Sequence, residues 1–78
     1  MAILDYNKTF CEAEINGVRI PYDACSTPDL IDGKWVDIGE DRAKKNYPNM
    51  EYIGASPILY VDGVKNDFKA NVHFFKFK

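Results

Sequence analysis

Apolar and polar side chains alternate over residues 10–23 around a single break at Asn16-Gly17, and that pattern predicts a β-hairpin. Asn and Gly both tolerate positive φ, so the pair favours a two-residue type I′ turn whose twist matches that of its strands. The turn sets the register. Ile15 then faces Val18, Ala13 faces Ile20 and Cys11 faces Tyr22, all on one apolar side. Glu14 faces Arg19 and Glu12 faces Pro21 on the other, which places an opposite-charge pair across the strands. Pro21 cannot donate to a ladder, so its strand is expected at the sheet's edge.

Further along, Thr27-Pro28-Asp29 has the order of an N-cap, a first-turn proline and an acid, and predicts a single helical turn. Asp32-Gly33 reads as a turn into the strand Lys34–Ile38, whose buried side is ambiguous because Trp35 and Val36 point opposite ways. Residues 39–46 form the one helix candidate, with acids at its start and lysines at its end to complement the macrodipole. Under three turns long, it must dock on the sheet to be stable.

Residues 50–53 read as a short strand ended by Gly54-Ala55-Ser56. Pro57 opens another, and its apolar run Ile58–Val61 has the character of a central strand. Asp62-Gly63 turns the chain, with Lys65-Asn66-Asp67 lengthening the loop. A last strand covers residues 68–77. The order predicts an α+β domain over residues 1–78, a small and mostly antiparallel sheet of five to six short strands with one short helix.

Composition strengthens that expectation. The chain is 46% hydrophobic and 14% aromatic, too apolar for a disordered segment and rich in strand-forming residues. Its 78 residues support only a modest core. The net charge of −2 conceals an asymmetry, since residues 1–41 carry −6 and residues 42–78 carry +4. Either the two halves interleave, or the molecule has an acidic and a basic face suited to docking on a macromolecule.

No basic, apolar leader opens the sequence and no run is long enough to span a membrane, so a cytoplasmic, reducing setting is expected. Cys11 and Cys25 are then free thiols: a continuing hairpin would hold them too far apart to bridge, and only a chain that bends back at Ala24 would allow a disulfide. Asn7-Lys8-Thr9 matches a glycosylation acceptor by composition alone.

Catalytic signatures are absent. His73 is the one histidine, with no partner near it in sequence, and reads as structural or surface. Cys11, Cys25 and His73 include no closely spaced ligand pair, so neither a metal nor a cofactor is expected. Glu12 and Glu14 share a face that solvation explains, and the scattered glycines form no phosphate cradle.

The final strand carries the strongest candidate. Phe68, Ala70, Val72 and Phe74 make a core side, leaving Lys69, Asn71, His73, Phe75 and Phe77 opposite, with Lys76 and Lys78 beside them. Rings interleaved with lysines suit a protein interface, where aromatic anchors dominate, or a single-stranded nucleic acid, where bases stack and ammonium groups meet phosphates. A bulge at Phe74-Phe75 would instead return Phe75 and Phe77 to the core side, or the 40–46 helix could cover that face. The function expected is a non-enzymatic protein that binds and modulates or inhibits another protein, of the kind mobile elements and phages encode. Its candidate interface is Lys69, His73, Phe75, Lys76 and Phe77, with Glu12 and Glu14 of the hairpin. Nucleic-acid binding by the last strand is the alternative. Symmetric pairing through that strand would also hide its edge in a homodimer.

Overall fold

The computed structural model describes residues 11–78, so Phe10, the Asn7-Lys8-Thr9 pattern and the start of the chain lie outside the described residues. Three two-residue turns organise it. Asn16-Gly17, Asp32-Gly33 and Asp62-Gly63 each place both residues at positive φ, between 51° and 82°. Each reverses the chain directly, so the flanking residues Ile15–Val18, Ile31–Lys34 and Val61–Val64 pair across it.

The first hairpin joins β1 (Cys11–Ile15) to β2 (Val18–Pro21). Its register is the one expected, with Ala13 opposite Ile20, Glu14 opposite Arg19 and Glu12 opposite Pro21. β3 (Ala24–Ser26) follows after two residues. The next pair, β4 (Asp29–Ile31) and β5 (Lys34–Val36), forms a separate two-stranded sheet. Here the expected helical turn after Thr27 is replaced by a strand. The two-residue turn at Asp32-Gly33 needs extended chain on both sides, and Asp29, Leu30 and Ile31 pair with Val36, Trp35 and Lys34. Asp29 takes the Arg42 guanidinium at 2.9 Å instead of a helix terminus.

Helix α1 (Glu40–Asn46) lies where the sequence placed it. Glu40 and Asp41 occupy its first turn, Lys44 and Lys45 its last, and Lys44 meets Glu40 at 2.7 Å. Ala43 is its one buried residue.

The last two strands are longer than the sequence suggested. β6 (Glu51–Val61) runs through Gly54 and Pro57, and β7 (Val64–Lys76) takes in Lys65-Asn66-Asp67 as paired strand. The residues that read as breaks have become irregularities within a continuing ladder. Two residues of β6 oppose one of β7 between Tyr52 and Gly54, a bulge at which Gly54 adopts φ 140°. A Cβ there would lie 3.0 Å from Ile15 Cδ1, so glycine also makes room for β1. Opposite Pro57, residues 68–71 of β7 have no partner in β6, with Lys69 at φ 61° and its N–H donated to Asp67 Oδ1 at 2.8 Å, while Phe68 still packs against the core.

The main sheet has the order β2-β1-β6-β7-β3, antiparallel throughout. Its two edges are consecutive in the chain. A flat sheet of five strands would hold its edges about 19 Å apart, whereas Pro21 and Ala24 are separated by at most about 10 Å of chain. The sheet therefore rolls. Tyr22 donates its N–H to the Cys11 carbonyl of β1 at 3.3 Å, and Asp23 donates to the Phe75 carbonyl of β7 at 2.8 Å. Adjacent residues thus bond to opposite sides, and the corner links the two edges of a small, partly open barrel in which β2 and β3 are not paired with each other.

Inside it lie Ala13, Leu59, Val72 and Phe74, with Ile15, Tyr22, Cys25 and Ile53 packed against them. The tilted Tyr22 and Phe74 rings, 4.7 Å apart, fill the corner. β6, which contains Ile58–Val61, is the middle strand, and β2 with Pro21 is at the edge, both as expected. The fold is a small, mostly antiparallel α+β structure. Among the described residues, no helix is long and apolar enough to cross a membrane.

Candidate functional site

Alternation along β7 puts Val72 and Phe74 inside the barrel and His73 and Phe75 outside it, as the sequence predicts. The outer pair is nevertheless buried, His73 to 3% exposure and Phe75 to 0%. Tyr47, at the end of α1, stacks on Phe75 at 5.0 Å, and Tyr52 of β6 meets it edge-on at 5.4 Å. Tyr47 also donates its hydroxyl to the Cys25 carbonyl, and Asn46 donates to Ser26 Oγ, tying α1 to β3. The helix end covers this face, so His73 and Phe75 are corrected from interface residues to core residues. Phe77 alone of the strand's outward rings stays open, at 73% exposure.

The other candidate residues are placed as follows. Lys69 is exposed in the unpaired 68–71 segment of β7, and Lys76 lies opposite Glu51 in the ladder. Glu12 and Glu14 are half-buried. Glu14 accepts the Tyr60 hydroxyl at 2.9 Å, while the Arg19 guanidinium lies 3.8 Å from the Tyr60 ring centre. The acidic side of the hairpin is thus a satisfied polar cluster. Charges of the two halves also interleave, as the Asp29–Arg42 pair shows.

What the sequence did not single out is the β4–β5 hairpin. Leu30 is 60% exposed, Ile31 51%, Val36 44% and Trp35 43%. Leu30 and Trp35 are direct partners on one face, while Ile31 and Val36 emerge on the other. A two-stranded hairpin is barely stable alone, and this one is held to the rest of the fold at named points. Trp35 meets Phe68 of the unpaired β7 segment edge-on at 5.7 Å. Asp29 holds Arg42 of α1. Just beyond β5, Asp37 reaches His73.

That last contact belongs to a polar chain centred on the buried His73, with Asp37 at its exposed end. Asp37 Oδ1 lies 2.7 Å from His73 Nε2, and His73 Nδ1 lies 2.9 Å from the Tyr52 hydroxyl. An ionised Asp37 assigns the ring proton to Nε2, leaving Nδ1 to accept the Tyr52 O–H. The order of groups matches a nucleophile, a base and an orienting carboxylate, but every polar atom of the ring is already used and no face of it is open. The chain acts as a clasp between the hairpin and the barrel.

Burial alone would raise the Asp37 pKa. Hydrogen bonds from the Gly39 N–H, His73 and Asn71 outweigh it and hold the carboxyl below its ordinary value. For Tyr52, burial pushes the hydroxyl up, with Glu40 and Asp37 adding to the effect against Lys44. A depressed carboxyl contributes stability that is complete above its unfolded pKa and is lost as pH falls through the folded one. Wild type should therefore exceed Asp37→Asn in urea midpoint at pH 6, and the gap should shrink as pH falls below about 4. A gap independent of pH would remove Asp37 ionisation from the clasp.

A shallow polar cleft between α1 and β3 is lined by Ser26, Thr27, Asp29, Arg42, Asn46 and Tyr47. Its cation is paired with Asp29, and its amide and phenol are bonded within the fold. Among the described residues, no cluster of three or more His, Cys, Asp or Glu could hold a metal ion.

The chain matches no family model, no curated protein and no solved structure. The reading of the site rests on its own residues.

Proposed function

We propose that this chain is a non-enzymatic binding module that docks on another protein through the β4–β5 hairpin. One observation carries the reading: four large apolar side chains, Leu30, Ile31, Trp35 and Val36, are gathered on one short element and each is more than 40% exposed. A fold with so small a core gains by burying such residues, and leaving them out is the usual mark of an interaction surface. Trp35 is of a residue type strongly enriched among binding hot spots. The cytoplasmic setting and the modulating or inhibitory role belong to the same proposal.

The experiment is affinity capture from the native source, run side by side with wild type and Leu30→Ser/Ile31→Ser. Neither substituted side chain packs in the barrel, so the melting temperature should move by less than about 4 °C. The reading expects a stoichiometric partner held by the wild type and lost by the variant. Identical capture by the two proteins would remove the hairpin as the site.

Nucleic-acid binding through the final strand has less to support it, because Phe75 is taken up by the core and leaves Phe77 as the one open ring beside Lys76 and Lys78.

A further inference from the structure

Two thiols lie about as far apart in the sheet order as its strands allow, Cys11 on β1 and Cys25 on the edge strand β3. The roll of the sheet and its corner at Tyr22-Asp23 reverse that separation. Tyr22, the corner residue, bonds through its N–H to the Cys11 carbonyl. Its ring stacks on Phe74, whose register partner is Cys25. Cys11, Tyr22 and Cys25 therefore converge on the same corner of the barrel, where burial and the two neighbouring thiols push the Tyr22 hydroxyl well above its ordinary pKa. Both cysteines are free and half-buried. The hairpin register alone argues for keeping them apart; the turn at Tyr22-Asp23, invisible in that register, brings Cys25 round to Cys11.

The geometry points to Cys11 and Cys25 as an oxidation site, a dithiol that a small disulfide such as oxidised glutathione converts to an intramolecular bridge across the barrel corner. One protein thiolate attacks a sulfur of the small disulfide and releases one small thiol. The second attacks the resulting mixed disulfide, forms the Cys11–Cys25 bond and expels the other. Two protein thiols are oxidised, one small disulfide is reduced to two thiols, and their protons pass to the products. The Tyr22 hydroxyl must move aside for the sulfurs to meet. Burial pushes the Cys25 thiol up against the lowering effect of Tyr22, with Cys11 nearby adding to the rise, so oxidation should be slow at neutral pH and faster as pH rises.

The test treats the reduced chain with oxidised glutathione, quenches with iodoacetamide and measures intact mass and cysteine-containing peptides. The expected product is a monomer that has lost two hydrogens, takes up no alkyl group and yields a Cys11–Cys25 peptide. Its melting temperature should rise by about 10 °C or more, because the bridge closes a loop of roughly 15 residues in the unfolded chain. Cys25→Ser, which keeps the size of the side chain, should instead stop at one glutathione adduct. Two adducts on the wild type, or a disulfide-linked dimer with no internal bridge, would overturn the proposal.

Discussion

Phe75→Ala should cost about 3–5 kcal/mol, as for other fully buried aromatic rings, whereas Phe77→Ala two residues away should stay within about 0.5 kcal/mol. The difference follows from position on the fold. The Phe75 ring has no exposed surface and is packed by Tyr47 and Tyr52, while Phe77 is 73% exposed and is tied down through its backbone N–H, which donates to Asp23. A chain of this length has on the order of 5 kcal/mol of stability, so the first variant should be largely unfolded at physiological temperature. Urea denaturation of both variants measures this. Equal, small losses would mean that α1 and Tyr47 do not cover the strand.

His73→Phe carries the second large effect. Phenylalanine keeps the ring volume but can neither donate to Asp37 nor accept from Tyr52. A charge-assisted bond and a neutral one are lost together, for about 2–3 kcal/mol and a fall in melting temperature on the order of 10–20 °C. Because the three groups act as one chain, Tyr52→Phe made on top of His73→Phe should cost less than it does alone. Additive losses would show that the Tyr52–His73 bond contributes nothing. The loss should also loosen the hairpin, which the single tryptophan, Trp35, reports through its fluorescence.

Several of these features are legible in the sequence because they are local. Asn16-Gly17 sets the β1–β2 register through turn geometry, and the charge order over 40–46 marks the helix. The alternation from Val72 to Phe75 correctly separates the two sides of β7. What alternation does not reveal is whether the second side is open, since that depends on Tyr47 and Tyr52, more than 20 residues away. The Asp37–His73 bond spans 36 positions, and no short motif announces it. Thr27-Pro28-Asp29 misleads for a different reason. Its cap chemistry is sound, but the I′ turn five residues later leaves the segment room only for a strand. Gly54 and Pro57 mislead in the same way, because a bulge can absorb a residue that breaks an isolated strand.

Two signals could have drawn attention to β4–β5 earlier. Asp32-Gly33 is a turn pair like Asn16-Gly17, with apolar Leu30-Ile31 before it and Trp35-Val36 after Lys34. With three residues on each side of the turn, such a hairpin has two faces and one neighbouring barrel, so some apolar side chains must remain outside. The corner at Tyr22-Asp23 had no comparable signal. It arises from closing the sheet, a property of the whole chain.

The central claim is that the aromatic end of the chain is core and that the apolar surface offered to a partner lies on β4–β5. Hydroxyl-radical footprinting of the native protein, read residue by residue by mass spectrometry, tests it without knowledge of the partner. Leu30, Ile31, Trp35, Val36 and Phe77 should be labelled readily, and Phe74 and Phe75 should stay unlabelled until the protein is unfolded. Labelling of Phe75 on a par with Phe77, together with protection of Leu30 and Ile31, would contradict the account.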